Sequence, residues 1–407
     1  MPTPSFPRPF AYLAGANLAA QSAEQLSLAA VPIVAVLALG SGAGEIGLLA
    51  AVQTLPFLLL AIPLGLLADR TSRRSLMLWS EVLRTLSLAG LLAAVLLQQL
   101  SVPLLAVLGF VGAVGTVGFS VAAPALVPSL VPRELLGRAN GRLELARSAA
   151  YAAGPALAGA LVAWAGASAA FVLAAMLSAG AALLLLGLVE APRVPPPRRH
   201  PLHDIRDGAQ FVWRHAMLRP ILLTAIAWNM AWFVLQAAYV PYAVRVLGLS
   251  AGGVGTTLAI YGVGMIAGAL AAPRLLGAMP FGRAIQFGPM VSVMAAATMA
   301  ATLAVPHPAL AGCSFFLFGF GPIIWTITST TLRQTVTPEA ALGRVSAIFL
   351  TVNAGARPVG AALGGFIGAY WGEAACLVLA LAGFCIQACI IAFSPVSGLK
   401  ELPAHAG

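Results

Sequence analysis

The sequence predicts an all-α integral membrane protein with about twelve transmembrane helices, and three observations support this fold class. Of the 407 residues, 60% are hydrophobic and only 8% are charged, whereas soluble domains carry roughly 25% charged residues because their surfaces face water. Apolar runs of helical length recur along the whole chain with short interruptions. Basic residues are concentrated in alternate interruptions, as in the cytoplasmic loops of membrane proteins.

Twelve apolar runs are long enough for a transmembrane helix, which needs about 20 residues. A bilayer admits only helices or closed barrels, and barrel strands would be alternating segments of about 10 residues. The predicted spans are 11–38, 44–67, 75–98, 102–127, 138–164, 167–189, 219–246, 251–276, 283–304, 309–333, 342–369 and 373–394.

The charges between the spans predict the orientation. One side collects the 190–217 loop and the basic residues Arg8, Arg70, Arg73, Arg74, Arg133, Arg138, Arg274, Arg283, Arg333, Arg344 and Lys400. The loops of the other side hold Glu45, His307 and Glu373, and Arg245 is the one exception to this asymmetry. By the positive-inside rule we expect both termini to be cytoplasmic. The expected location is the inner membrane of a bacterium.

One long polar stretch divides the chain into two blocks of six spans. It contains three consecutive prolines, then Arg198 and Arg199, and it ends in a short amphipathic segment. We therefore predict an N-terminal six-helix bundle at 1–189, a cytoplasmic linker at 190–218 and a C-terminal six-helix bundle at 219–407.

The two halves also repeat each other. Residues 132–138 match residues 338–344 at the proline, leucine, glycine and arginine positions, and Gly137 and Gly343 are 343 − 137 = 206 residues apart. The further glycines that recur at this offset are Gly154 and Gly159 in the first half and Gly360 and Gly365 in the second. Duplicated halves are common in transporters, which place the solute where the repeats meet.

Other function classes fit the sequence poorly. The net charge of +10 comes from loop arginines rather than from one basic face, so it does not indicate a nucleic-acid binder. The predicted spans contain no histidine, and we find no nucleophile, metal-ligand or phosphate-binding pattern, so an enzyme or an ATP-driven pump is not favoured and no cofactor or metal is expected. A signalling or scaffolding protein would need a sizeable soluble domain.

The loop between spans two and three carries the motif that identifies a family. It reads Gly65-Leu-Leu-Ala-Asp69-Arg70-Thr-Ser72-Arg73-Arg74, which resembles the loop signature of the major facilitator superfamily, although Ser72 replaces the usual glycine. The resemblance implies two pseudo-symmetric six-helix bundles, the major facilitator fold. It also implies a conformational-switch loop of Gly65, Asp69, Arg70, Arg73 and Arg74, whose carboxylate meets the eleventh helix.

Span five partly matches the antiporter signature of proton-coupled drug exporters. The matching residues are Gly141, Gly154, Pro155 and Gly159. Close helix packing by small residues explains them equally, so both interpretations stay open. The arginine found in span four of many drug/proton antiporters is missing, since 102–127 contains no charge. Over most of its length the chain is most similar to the drug and siderophore efflux branch, which includes macrolide and enterobactin exporters.

Among the charged residues within predicted spans, Glu24 in span one and Arg357 in span eleven stand out by their depth. Charges at mid-bilayer cost roughly 2.5–3.5 kcal/mol on insertion scales, so they mark functional candidates. Three roles are open for Glu24. It can stay protonated in an apolar site and release its proton when the cavity opens to water, it can contact a cationic substrate, or it can serve as a structural hydrogen-bond donor. Arg357 keeps its charge and needs a carboxylate, carbonyls or an anionic substrate, and an ion pair with Glu24 is one hypothesis.

Polar and aromatic residues indicate a candidate solute cavity, because helices one, four, seven and ten line the cavity in the family that the chain resembles. Aromatic side chains with a few polar groups suit a lipophilic, partly polar solute. Interfacial belts and helix packing are the alternative role for these residues. The cavity candidates are Asn17, Gln21, Gln25, Gln53, Trp228, Asn229, Trp232, Gln236, Tyr239, Trp325, Thr326 and Thr328.

The predicted function is therefore secondary active transport by alternating access. Proton-coupled export of a lipophilic drug or a siderophore by a monomer in the lipid bilayer fits best. Facilitated uptake, or transport of a lipid-like substrate by the same fold, is the alternative.

Overall fold

Long apolar helices account for most of the described chain. The computed structural model describes residues 6–132, 135–190 and 201–403, so residues 191–200 of the predicted linker lie outside the described part. The helices in these ranges are α1 (Arg8–Leu39), α2 (Ala43–Arg70), α3 (Arg73–Leu96), α4 (Val102–Leu130), α5 (Leu136–Ala165), α6 (Ala167–Leu186), α7 (Pro201–Arg214), α8 (Leu218–Arg245), α9 (Ala251–Ala278), α10 (Phe281–Ala301), α11 (Pro308–Val336) and α12 (Glu339–Ala392).

α12 is two helical segments joined without a loop. Gly372 interrupts it with φ of 79°, a left-handed conformation that glycine adopts readily. The apolar stretch 348–392 is 45 residues long, which at 1.5 Å per residue is about twice the thickness of a hydrocarbon core. The described residues contain eleven helices long and apolar enough to cross a membrane. With α12 counted as two crossings (339–371 and 373–392), the predicted twelve spans are confirmed.

The first unit comprises Met1–Gly40, Val52–Pro197 and Ser250–Ala259. In it α1 packs against α5 and α6, while α3 packs against α4 and α6. Its apolar core includes the fully buried Phe10 and Leu126.

The second unit comprises Ser41–Ala51, Arg198–Leu249 and Ile260–Gly407. In it α8 packs against α12, and α10 packs against α11 and α12. α7 is the amphipathic helix predicted at the end of the linker. It lies on α12 and α8 and buries Val212 in the core of this unit.

Two segments belong to the unit that does not hold the rest of their helix. The start of α2 packs within the second unit, and the start of α9 packs within the first. These segments begin at Ser41 and Ser250, which are 250 − 41 = 209 residues apart, close to the 206-residue offset of the repeat. The two segments therefore occupy equivalent positions in the two repeats, and each is exchanged into the other unit. The predicted bundle boundaries at 189 and 219 stay a prediction.

The start of α3 is fixed by a carboxylate that follows α6. Glu190 accepts hydrogen bonds from the Ser72 hydroxyl at 2.7 Å and from the backbone N–H of Arg74 at 3.0 Å. The Ser72 hydroxyl also caps α3 by accepting from the N–H of Ser75. Because the first N–H groups of a helix lack partners within it, a carboxylate is favourable at this point.

We expect Glu190→Ala to destabilise the first unit by about 0.5–2 kcal/mol, the range for loss of a helix cap. Thermal unfolding of the purified protein in detergent measures this as a lower midpoint. The matched control is Glu401→Ala, which removes an exposed carboxylate near the C-terminus. Equal midpoints for the two variants would contradict the capping role.

His215 joins α7 to α8. Its Nδ1 accepts hydrogen bonds from the backbone N–H groups of Met217 and Leu218, at 3.2 and 3.3 Å, and its ring lies 5.6 Å from that of Phe211. Only an unprotonated Nδ1 can accept these bonds. Burial lowers the pKa of His215 below its ordinary value of 6.5, which favours the neutral, capping form.

The α7–α8 junction should weaken in mild acid. The folded pKa of His215 is lowered, so its stabilising effect is complete above about pH 6.5 and is lost as the pH falls towards the lowered pKa. Hydrogen exchange of the Met217 and Leu218 amides should accelerate over this range. In His215→Gln an amide oxygen can accept the same bonds without titrating, so its exchange should show no such step after correction for intrinsic rates. A step of equal size in both proteins would refute the role of His215.

Candidate functional site

The polar residues of α1 lie in two environments. Glu24 and Gln21 are partly buried, whereas Asn17 and Gln25 are 6% and 5% exposed. The Asn17 amide donates to the carbonyl oxygen of Leu143 on α5 at 3.2 Å. Gln25 packs against Gly154, where a Cβ atom would lie 2.6 Å from the Gln25 Cβ. Asn17 and Gln25 thus hold α1 against α5, and Glu24 is the ionisable group on the same stretch of helix.

Gln53 is partly buried on α2 within the first unit. It packs against Gly109 of α4, where an added Cβ would lie 2.7 Å from the Gln53 Nε2. Gly109 therefore leaves room for a polar side chain between these two helices.

An aromatic cluster surrounds α8 in the second unit. The rings of Trp228 and Trp232 stack with centroids 5.4 Å apart, and Trp232 lies edge-on to Phe318 of α11 at 5.1 Å. Tyr239 lies edge-on to Phe315 at 4.5 Å. Tyr239 is fully buried and Trp232 is 9% exposed, so both stabilise the packing of α8 against α11.

The remaining cavity candidates of the second unit differ in exposure. On α11, Trp325 and Thr328 are buried while Thr326 is exposed. On α8, Asn229 and Gln236 are partly buried. Asn229, Gln236 and Thr326 therefore retain accessible surface for a solute, as does Trp228, which is also partly buried. That these residues line a cavity stays a prediction.

Arg357 is partly buried in the first segment of α12. It belongs to the second unit, whereas Glu24 belongs to the first, and the hypothesis that they pair stays a prediction.

The arginines of the predicted switch loop face helix ends in the first unit. Arg74 donates to the carbonyl oxygens of Leu185 and Leu186 at the end of α6, both at 2.9 Å, and Arg73 donates to the carbonyl oxygen of Ala125 on α4. Cations are favourable at the negative end of a helix dipole. Arg70 is exposed, and Gly65 lies near Val121 of α4. Asp69 and Gly141 lie outside the residues whose side chains the structure describes.

Two pairs of glycines allow helix backbones to touch. In the second unit, a Cβ on Gly47 of α2 would lie 2.5 Å from the backbone nitrogen of Gly365 on α12. In the first unit, a Cβ on Gly159 of α5 would lie 2.8 Å from the Cα of Gly255 on α9. Real Cβ atoms do not approach so closely, so each contact requires glycine. Small residues give such close contacts between membrane helices.

The repeat relates these two contacts to each other. Gly159 and Gly365 are equivalent by the 206-residue offset, and their partners Gly255 and Gly47 are 255 − 47 = 208 residues apart. Gly159 thus has a packing role in the structure. Whether the motif around it also serves proton exchange stays a prediction.

An ion pair in the second unit was not among the residues selected from the sequence. Arg245, at the end of α8, lies 3.1 Å from Glu373, and its second terminal nitrogen donates to the carbonyl oxygen of Ser41 at 3.1 Å. The Glu45 carboxylate lies close by and accepts the N–H of Gly42 at 2.7 Å. These contacts join the end of α8 to the second segment of α12 and to Ser41, which precedes α2. Arg245 could have been identified from the sequence, because it is the one basic residue that departs from the charge asymmetry of the loops.

Comparison with known proteins agrees with this architecture. Residues 13–361 match the Major Facilitator Superfamily. The chain is 30% identical over 311 residues to the enterobactin exporter EntS of Citrobacter koseri, covering 75% of this chain and 72% of that protein. It is 30% identical over 315 residues to EntS of Escherichia coli O1:K1, with the same coverage.

Solved structures share the fold at low sequence identity. A bacterial homologue of the iron transporter ferroportin aligns over 95% of this chain and 100% of its own, with a TM-score of 0.72 and 17% identity. The POT family transporter PepTSo aligns over 96% of this chain and 98% of its own, with a TM-score of 0.76 and 13% identity. The family match, the duplicated helices and the twelve crossings lead to one conclusion: the chain is a multi-pass membrane transporter that belongs to the Major Facilitator Superfamily.

Proposed function

We propose that this transporter is a proton-coupled exporter of a lipophilic, partly polar small molecule of the drug or siderophore class. The relatives named as enterobactin exporters support the direction and the substrate class. Glu24 is the proposed proton carrier, because it is a partly buried carboxyl group on α1 beside polar side chains. The aromatic side chains around Trp228 offer flat apolar surfaces to such a substrate.

The observation that carries the mechanism is the exchange of the starts of α2 and α9 between the two units. Each of these helices is continuous, so movement of one unit against the other must break the glycine contacts of its first turns or bend the helix. Two equivalent contacts that break and re-form together suit alternating access.

The ion pair of Arg245 and Glu373 would stabilise one state of this cycle. By the positive-inside rule, the helix ends that carry these two residues lie at the outer face of the membrane. The arginine side chain is 46% exposed and the glutamate 21%, so its contribution is small, in the range of about 0–1 kcal/mol for exposed pairs. A weak contact of this kind can be broken in each transport cycle.

Glu24→Gln should abolish proton-driven transport while substrate still binds. The amide has a similar shape but carries no exchangeable charge. The protein would be reconstituted in liposomes under an imposed pH gradient, with uptake of lipophilic dyes, macrolides and a catecholate siderophore followed over time. Glu144→Gln is the control, since Glu144 is an exposed carboxylate on α5.

The assay separates the possible results. Loss in Glu24→Gln alone supports proton coupling through Glu24. Equal gradient-driven uptake by the wild type and this variant would refute the role of Glu24. If uptake by the wild type is the same with and without the pH gradient, the protein is a facilitated transporter instead.

Arg245→Gln should make the region of Ser41 more accessible from outside. A membrane-impermeant thiol reagent would be applied to a Ser41→Cys protein whose four native cysteines are replaced. We expect labelling to be about two- to fivefold faster than with Arg245 present, which corresponds to at most about 1 kcal/mol. Glu373→Gln leaves the bond from Arg245 to the Ser41 carbonyl oxygen in place, so it should accelerate labelling in the same direction but by a smaller factor. Unchanged labelling in both single variants would contradict this role.

A further inference from the structure

A buried ion pair lies within α3 of the first unit. Glu81 is fully buried and Arg84, one turn later, is 3% exposed, and the Arg84 Nη1 is 3.1 Å from the Glu81 Oε1. At 1.5 Å per residue from Arg73, the pair lies about 12–17 Å along a helix that crosses a core of about 30 Å. Two charges at this depth are costly to bury, so the groups that they contact are informative.

The pair connects three helices. The Arg84 Nη1 donates to the carbonyl oxygen of Ala20 on α1 at 2.9 Å. The Glu81 Oε2 accepts from the hydroxyl of Ser178 on α6 at 2.8 Å. In the described part of the chain, the Arg84 Nε has no hydrogen-bond partner. The guanidinium is therefore oriented by Glu81 and by the carbonyl group of α1.

α3 is a rigid support for this contact because its backbone touches α4. Added Cβ atoms at Gly115 and Gly118 of α4 would meet the carbonyl oxygen and the hydroxyl of Ser80. Ser87 donates to the carbonyl oxygen of Leu108 at 2.6 Å. Contacts of this kind on two turns of α3 oppose sliding of α3 along α4.

The carbonyl group that Arg84 holds lies one turn before Glu24. α1 is helical through this region, and in an α-helix the carbonyl oxygen of residue 20 accepts the N–H of residue 24. Arg84 thus adds a charge-assisted hydrogen bond to the acceptor that anchors the backbone of Glu24.

We propose that Arg84, oriented by Glu81 and Ser178, is a positioning residue that fixes α1 at the turn that carries Glu24. This inference rests on the proposed function, in which Glu24 carries the proton. Loss of Arg84 would let this turn of α1 shift, and the environment that sets the proton affinity of Glu24 would change with it.

The other ionisable residues on the neighbouring helices of this unit are few. α4 and α6 contain no Asp, Glu, His, Lys or Arg, and α1 itself adds Arg8 and Tyr12. α5 carries Arg138, Arg142, Glu144, Arg147 and Tyr151. Of these, Arg142 lies over the ring of Phe6, and Arg147 pairs with Glu144 and lies over Tyr151. The Glu81–Arg84 pair of α3 is thus a buried pair of charges whose guanidinium group contacts α1 one turn from Glu24.

The test compares two pairs with the same spacing. Glu81→Leu/Arg84→Met removes the buried pair, and apolar replacement of both partners is tolerated where removal of one charge is not. Glu144→Gln/Arg147→Gln removes the exposed pair on α5 as the control. Arg84→Lys keeps the charge but lacks the planar group that contacts Ala20 and Glu81 together. Each protein is examined by hydrogen exchange of the peptide 17–26, and by the pH profile of transport in liposomes.

We expect exchange in this peptide to be about tenfold faster in Glu81→Leu/Arg84→Met than in the wild type, because the turn loses a hydrogen bond to a charged group. The control should match the wild type and Arg84→Lys should be intermediate. The maximal transport rate should fall about tenfold with KM within about twofold, as expected for a misplaced reacting group. The pH at half-maximal rate should shift as well.

Unchanged exchange would overturn the proposal, and this measurement needs no substrate. Faster exchange with an unchanged pH profile would also overturn it, if Glu24→Gln does alter that profile. If Glu24→Gln changes nothing, the proposed proton coupling fails separately, and exchange alone then decides whether Arg84 fixes α1.

Discussion

The contact of glycine backbones at two helix crossings is the constraint on which the rest of the architecture depends. Lipid is as apolar as a leucine side chain, so membrane helices gain little from hiding apolar surface from it and associate through close packing instead. The Gly47–Gly365 and Gly159–Gly255 pairs bring backbones together where any side chain would separate them. Larger residues at these positions would displace the starts of α2 and α9 from the units that hold them.

Polar interactions in the first unit are concentrated where helices need axial alignment. Glu190, Arg73 and Arg74 fix the ends of α3, α4 and α6, while Arg84 fixes α1 in mid-helix. Hydrophobic packing is non-directional and tolerates sliding along a helix axis, whereas hydrogen bonds to single carbonyl groups do not. The few charges of the first unit thus supply the alignment that its apolar surfaces lack.

The sequence was sufficient to predict the fold but not the positions of the polar contacts. Span length, loop charge and the 206-residue repeat predicted the crossings, and the break at Gly372 lies between the predicted spans 342–369 and 373–394. Burial of Tyr239 and Thr328 could not be predicted, because in a uniformly apolar helix no periodicity distinguishes the face towards a cavity from the face towards a neighbouring helix. The role of Glu190 depends on a contact across 118 residues with Ser72, which loop composition does not reveal.

The exchanged segments make each half of the chain structurally incomplete. The bundle built from the second half includes Ser41–Ala51 of the first, and the bundle built from the first half includes Ser250–Ala259 of the second. This arrangement is the covalent counterpart of a domain-swapped dimer, in which identical elements are traded between protomers. A half synthesised alone would lack the segment that supplies the partner glycine of its own bundle, Gly47 for Gly365 and Gly255 for Gly159, so these two backbone contacts form only when both halves are present.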